Sequence, residues 1–456
     1  MVVPAAVLIQ FCVGSLYAWS IFNKPIDELL NTQNMAPITF YIACGFLGGS
    51  AALTGPWLER RGPRLACLLG IALFCSGHFL TALALYLKQI WLVFLGYGVL
   101  GGMGTGLCYI SPVSTLQKWF PDHRGMASGL AVCGFGGGSI VIAKIQNPLI
   151  NSVGLPLTFV ILGGCYLLVM SSCAVVLRTP PPNFMAKLVP TADVDTDQEK
   201  GQVVVCFTNG CDYKETVVEV QPDLIDCLLS TDFRLMFIMF VGSILFGICA
   251  ISRLSNMVTD IFGKTREEAS TIVSINGGFN LLGRLFFAVV SDLLGRKTCF
   301  WIMLTTQLCI VASFSFITSS GAYWSFVVAM WILTACYGGG FGTIPAFLTD
   351  MFGPSNVGAC HGVILTDWSI AAVVGGLTYT KIFDLVSSSD GHDPSDPRPY
   401  NVNSWWILAV VATSWIALQL VTPTEKDVRF RRFVLSGCRN NRPDPAVKLT
   451  HLKLDT

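Results

Sequence analysis

Charged residues are scarce in this chain. Of its 456 residues, 12% are Asp, Glu, Lys or Arg, while 53% are apolar. A soluble globular chain carries about 25% charged residues, so this one cannot cover a water-facing surface of its own size. Other things are missing as well. The seventeen cysteines fall mostly inside apolar runs, where a thiol acts as a small apolar group, and they show neither zinc spacing nor a disulfide framework. Cys206 and Cys211 lie in a central polar stretch. GGMGTG (101–106), GFGGGS (134–139) and GGGFGT (338–343) are glycine-rich, but none runs into Gly-Lys-Ser/Thr and no strand precedes them. That argues against a phosphate loop and favours close helix packing. A net charge of +1 gives no electrostatic case for nucleic acid. The first apolar run is too long, and too poor in positive charge, for a cleaved signal peptide. With no metal cluster, nucleophile motif or cofactor fingerprint, neither an enzyme nor a cofactor is expected.

What the chain does have is long apolar runs, and its mean hydropathy is +0.61. Twelve stretches of about 20 residues, enough for a ~30 Å hydrocarbon layer, fall at 2–22, 37–58, 65–86, 90–114, 126–148, 155–177, 233–254, 270–291, 298–318, 322–348, 359–383 and 404–422. The fold expected is an all-α membrane protein. Loop charges orient it. With the amino terminus inside, cytoplasmic loops and tails hold 20 of the 29 Lys and Arg, including Arg60, Arg61, Arg64, Arg296, Lys297 and eight in the tail. The outer loops hold Lys24, Lys88, Lys264, Arg266 and Arg398. Both termini are therefore expected in the cytoplasm; which cellular membrane is involved stays open.

The polar stretch 178–232, with its RTPPPN and TADVDTDQEK segments, reads as a flexible linker. It separates an amino-terminal six-helix bundle (1–177) from a carboxy-terminal one (233–422), with a tail at 423–456. The halves resemble each other. Glu59, Gly62 and Arg64 after span 2 match Asp292, Gly295 and Lys297 after span 8, each 233 residues later. WFPDHRGMASG (119–129) corresponds to MFGPSNVGACHG (351–362) at nearly the same offset. Two six-helix pseudo-repeats of this kind are the plan of a transporter with its substrate site between the halves.

Several charges and rings lie inside spans. An arginine at the centre of a span costs at least about 2.5 kcal/mol, so Arg284 should face a wet cavity or a partner. Asn276 and Asn280, eight and four residues earlier, share its helix face, and its guanidinium could grip a carboxylate through two parallel hydrogen bonds. Asp367 could be its counter-ion, a proton site, or both. Lys144, Arg253 and Lys381, near the outer ends of their spans, read as snorkelling to the headgroups, and His78 as packed. Tyr17, Trp19, Tyr109, Trp331, Tyr337 and Trp368 could wall a pocket. Tyr17 and Trp19 are ~200° apart on a helix, so at most one of them faces it squarely. Gln10 and Gly14 share the face of Tyr17, which is the choice.

The acidic–x–x–Gly–Arg/Lys loops resemble the signature of the major facilitator superfamily. LYAWSIFNKP (16–25), KWFPDHRGMASG (118–129), GFGGG (134–138) and PAFLTDMFG (345–353) resemble its oxalate/formate antiporters. The resemblance implies a gating latch in which Glu59, Gly62 and Arg64, and Asp292, Gly295, Arg296 and Lys297, close the inner face. It also implies an arginine on helix 8, where Arg284 stands, and a lysine on helix 11, where this chain has Trp368. The related monocarboxylate transporters carry an Asp four residues before the helix-8 arginine; here that position is Asn280. One positive charge is a poor host for a dianion. The expected cargo is therefore a monocarboxylate of the pyruvate, lactate or formate class, moved by a monomer as a proton symporter or an anion exchanger. An oxalate/formate antiporter, a facilitator of another small solute and a non-transporting receptor remain open.

Overall fold

The computed structural model describes the main chain of residues 2–120, 124–180, 193–195, 202–209, 212–219, 224–353, 357–389 and 396–436. Among the described residues are twelve helices long and apolar enough to cross a membrane. Spans 1 to 6 are Val2–Ile21, Ala36–Leu58, Pro63–Tyr86, Ile90–Trp119, Gly125–Val153 and Leu155–Val176. Spans 7 to 12 are Thr231–Asp260, Arg266–Leu294, Arg296–Ser319, Tyr323–Phe352, Val357–Ser388 and Arg398–Leu420. Helices suit these sequences because hydrocarbon offers no partner to a backbone N–H or C=O, so each segment must satisfy its own. Two shorter helices, Asn23–Leu30 and Glu425–Ser436, lie at opposite faces of the bundle.

Three spans depart from α geometry. Span 1 tightens to a 3₁₀ helix over Gly14–Ile21, span 4 widens to π turns over Phe94–Gly101, and span 11 widens over Ala371–Gly375. Such departures give up regular hydrogen bonding and are frequent at functional points. Two of them adjoin the site described below.

The glycine-rich stretches are packing surfaces. A Cβ on Gly14 would stand 2.1 Å from the Phe135 carbonyl oxygen, one on Gly338 would stand 2.3 Å from that of Asn280, and one on Gly136 would meet the Leu281 backbone. Span 8 is thereby pressed between span 5 of the first half and span 10 of the second. The repeat is visible in the backbone too. Gly62 (φ 88, ψ 159) and Gly295 (φ 95, ψ 157) take the same left-handed turn between consecutive spans, a conformation that favours glycine.

Two expectations fail here. The linker is not wholly without structure: Asp193–Asp195, Gln202–Asn209 and Asp212–Glu219 form one antiparallel sheet, with Val204 paired to Val217. Its polar composition hid the β-branched runs 203–205 and 216–218, which favour strands. Arg253 does not reach the headgroups. It is 1% exposed, because Thr380 of span 11 and Asn34 of the first half hold its guanidinium inside. Lys381 is exposed, as expected. Lys144 is exposed but donates across the halves to Thr271.

Contacts between the halves close both faces. At the face carrying residue 2 and the tail helix, the Met126 N–H donates to Asp292 (3.2 Å). At the opposite face Lys24 pairs with Asp260 (2.9 Å), Asn23 donates to the Ser252 carbonyl (3.2 Å), and Glu28 pairs with Arg266. The conformation is occluded.

Candidate functional site

Arg284 lies between the halves with no exposed surface. Its Nε donates to Asn280 Oδ1 (2.8 Å), its Nη1 to the Val132 carbonyl (3.2 Å) and its Nη2 to the Tyr17 hydroxyl (3.2 Å). The Asn280 bond is the i,i+4 spacing made real. Tyr17, on the 3₁₀ segment of span 1, shares a 2.9 Å hydroxyl–hydroxyl bond with Tyr337 of span 10. The guanidinium stands 5.2 Å from the Phe135 ring centre and 5.1 Å from that of Phe341. One phenylalanine comes from each half, and each contact can contribute about 0.5–2 kcal/mol to holding a cation away from water.

Trp368 closes the other side. Its ring lies 5.0 Å from Phe341, 5.7 Å from Phe135, 6.0 Å from Tyr17 and 6.3 Å from Tyr109. Gln10 donates to the Tyr109 carbonyl (2.8 Å) and so braces that wall. The Tyr109 hydroxyl lies beside Arg284 without closing a hydrogen bond to it.

The site holds unpartnered donors. Among the described residues, Trp368 Nε1, the Tyr109 hydroxyl and Asn280 Nδ2 are buried without a hydrogen-bond partner. All of Arg284's partners are neutral oxygens. Its charge is solvated but not neutralised, and what suits such a place is a small anion that only accepts hydrogen bonds.

The remaining candidates sort by position. Asn276 is buried two turns from Arg284, with Oδ1 unpartnered, and does not touch it. Asp367 is fully buried with both carboxyl oxygens unpartnered, so it is no counter-ion to Arg284 in this conformation. Trp19 packs on Tyr97 and donates to the Ala36 carbonyl, away from the site. Trp331 stacks on Phe279, and His78 packs against Phe74 and Tyr166.

At the carboxy-terminal end of span 8, Asp292 pairs with Arg296 (2.7 Å) and with Lys426 of the tail helix (3.0 Å). Arg296, fully buried, also pairs with Asp350 (2.9 Å). Lys297 donates to the carbonyls of Gln419 and Val421. In the first half, Arg64 is exposed and donates to the Val175 carbonyl. The side chain of Glu59 lies outside the described residues.

Sequence reasoning missed Phe135, Phe341, Asp350, Lys426 and Asp427. Both phenylalanines had a signal: each is the one aromatic residue within a glycine-rich stretch, GFGGGS and GGGFGT. Glycines bring the backbones together there, so the ring between them is held at the junction of the halves. Asp427 also had one. Thr424-Glu-Lys-Asp427 is a helix-capping pattern, and Asp427 accepts from the Thr424 N–H and hydroxyl, then reaches the N–H groups of Lys297 and Thr298.

Comparison with known proteins agrees with this architecture. The description "Major Facilitator Superfamily" matches residues 6–376. The chain is 26% identical over 368 residues to the uncharacterized MFS-type transporter YhjX of Escherichia coli (strain K12), covering 80% of this chain and 84% of that protein. It is 23% identical to the oxalate:formate antiporter of Oxalobacter formigenes (82% of each chain). It is also 23% identical to apicoplast pyruvate carrier 1 of Toxoplasma gondii (76% of this chain, 68% of that one). These comparable identities extend over differently named transporters, so the likeness is to the superfamily broadly and not to its oxalate/formate branch alone. The chain belongs to the Major Facilitator Superfamily, and it is a membrane-embedded secondary transporter of a small solute.

Proposed function

We propose that the solute is a small monocarboxylate of the pyruvate, lactate or formate class, carried by alternating access with Arg284 as its single positive anchor. The observation that carries this reading is the buried guanidinium with no acid paired to it among the described residues. A cation in a water-poor core is costly unless paired, and a carboxylate taken up between the Phe135 and Phe341 rings would supply the missing charge. Trp368 Nε1 and the Tyr109 hydroxyl are placed to donate to its oxygens once the site loosens. Trp368 also supports a monoanion, because it stands where the resemblance to oxalate/formate antiporters implies a second cation. One relative is named for pyruvate and another for oxalate and formate, which agrees with an organic acid.

Asp367 is the proposed coupling group. A carboxyl with neither oxygen bonded is tolerable in the core when it carries a proton, and that proton would travel with the anion in symport. The Asp292–Lys297 segment and its counterpart at Glu59–Arg64 are the proposed switch, and the face they occupy is proposed to be cytoplasmic from its excess of Lys and Arg.

The test is uptake of labelled pyruvate, lactate, formate and oxalate into proteoliposomes, with and without an inward proton gradient. Uptake of one or more monocarboxylates, driven by the gradient or by internal anion, is expected. Uptake of oxalate alone would replace this reading with dianion exchange, and no carboxylate uptake would remove it.

A further inference from the structure

Arg253 is a second buried arginine, and it repeats the chemistry of the first. It lies on span 7 near the face opposite the tail, outward in the orientation proposed above. Its Nη2 donates to Thr380 Oγ1 (3.0 Å), its Nη1 reaches Asn34 Oδ1 at 3.5 Å, and its Nε has no partner. The guanidinium stands 5.5 Å from the Phe383 ring centre. No carboxylate pairs with it among the described residues. Asp27 lies within its field but is engaged elsewhere, accepting from Thr32 and from the N–H groups of Met35 and Ala36.

Beside it opens a cavity of about 760 Å³, lined by Asn34, Thr380 and Phe383 together with Gln33, Lys381 and Asp384. Three groups that hold Arg253 are thus also a wall of a surface cavity. Asn34 belongs to the first half and takes a left-handed backbone (φ 54), and among the described residues its side chain makes only long bonds, 3.5 Å to Arg253 and 3.4 Å to Asp384. Such lengths are at the weak end of hydrogen bonding. Its side chain is a light plug between a desolvated cation and the outer surface. When the halves part at this face, Asn34 leaves with the first half, and the guanidinium fork opens toward the cavity. Lys381 offsets the charge of Asp384 at the rim.

We infer that Arg253 is an outer carboxylate-binding station, screened by Asn34 in the occluded conformation, which captures the anion before it passes inward to Arg284. The inference rests on the carboxylate reading of the central site. It makes the transporter asymmetric: an anion arriving from outside meets two arginines in turn, whereas one arriving from the other face meets Arg284 first.

The test compares KM measured from each face, using oriented membrane vesicles of both polarities and the monocarboxylate best carried by the wild type. Losing a charge-assisted fork should raise the external KM of Arg253→Gln about tenfold and leave the internal KM within about twofold, whereas Arg284→Lys raises both. Asn34→Gly, which keeps the left-handed backbone without strain, should lower the external KM. Arg253→Gln with both KM values unchanged, or raised together, overturns the station. Should that variant fail to fold, an unchanged external KM in Asn34→Gly overturns it instead. If the wild type carries no carboxylate, the central reading fails; if it does and the external KM does not move, only this inference fails.

Discussion

Span 8 carries two charged assemblies, and they resolve their charge in opposite ways. At the end beside the tail helix, Asp292 and Asp350 face Arg296 and Lys426, two acids against two bases among the described residues. Twelve to eight residues earlier, Asn280 and Arg284 sit among rings and neutral oxygens, with no acid paired to Arg284 among the described residues. A matched cluster gains its interactions within the protein and so holds a conformation. An unmatched one keeps its strongest interaction for something that arrives. The first is suited to a latch, the second to a binding site, although both lie on one helix.

The sharpest way to break this contrast is to neutralise each assembly in turn. Arg284→Gln should cut carboxylate uptake by about 100-fold, since a charge-assisted contact worth ~3 kcal/mol disappears. Its thermal stability should hold or rise, because an unpaired buried charge costs folding energy. A fall in melting temperature in step with activity would make Arg284 a structural pin. Next in size, Asp367→Asn should abolish accumulation driven by a proton gradient while anion exchange continues; accumulation that survives would remove Asp367 from coupling.

In the matched assembly the effects should fall on stability. Asp427→Ala removes the cap of the tail helix and of the start of span 9, and should cost about 1–2 kcal/mol in thermal or denaturant unfolding. An unchanged melt would mean the tail helix is not docked. Lys426→Ala removes one ion of a partly exposed network, and about 0.5 kcal/mol or less is expected, shrinking further in high salt.

The smallest effect concerns the face opposite the tail helix. Burial raises the Asp27 carboxyl above its usual range, against the pull of its three hydrogen bonds and of Arg253. A raised carboxyl binds its proton more tightly folded than unfolded, so stability should decline as pH rises from the ordinary carboxylate range through the folded value. Asp27→Asn should flatten that slope, and an unchanged slope would assign it to other groups.

Much of this was legible in the sequence because hydrocarbon imposes strict rules. Length and hydropathy set twelve spans, and the 233-residue offset of Gly62 and Gly295 reappears as one shared backbone turn. Arg284 and Asn280 were legible as an i,i+4 pair. The burial of Arg253 was not, since its partners Thr380 and Asn34 are 127 and 219 residues away in the chain. Phe135 and Phe341 look like any core phenylalanine until the glycines beside them are read as places where the two halves meet. The tail helix was hidden for a different reason: its docking depends on Asp427 meeting N–H groups 129 to 130 residues earlier.

The central claim is that one guanidinium anchors one carboxylate. It is tested most directly by titration calorimetry of the best-carried monocarboxylate against the purified wild type and Arg284→Lys, which keeps the charge and loses the fork. The account predicts binding to the wild type and an affinity at least about tenfold weaker in the variant. Equal affinity in the two proteins would contradict it.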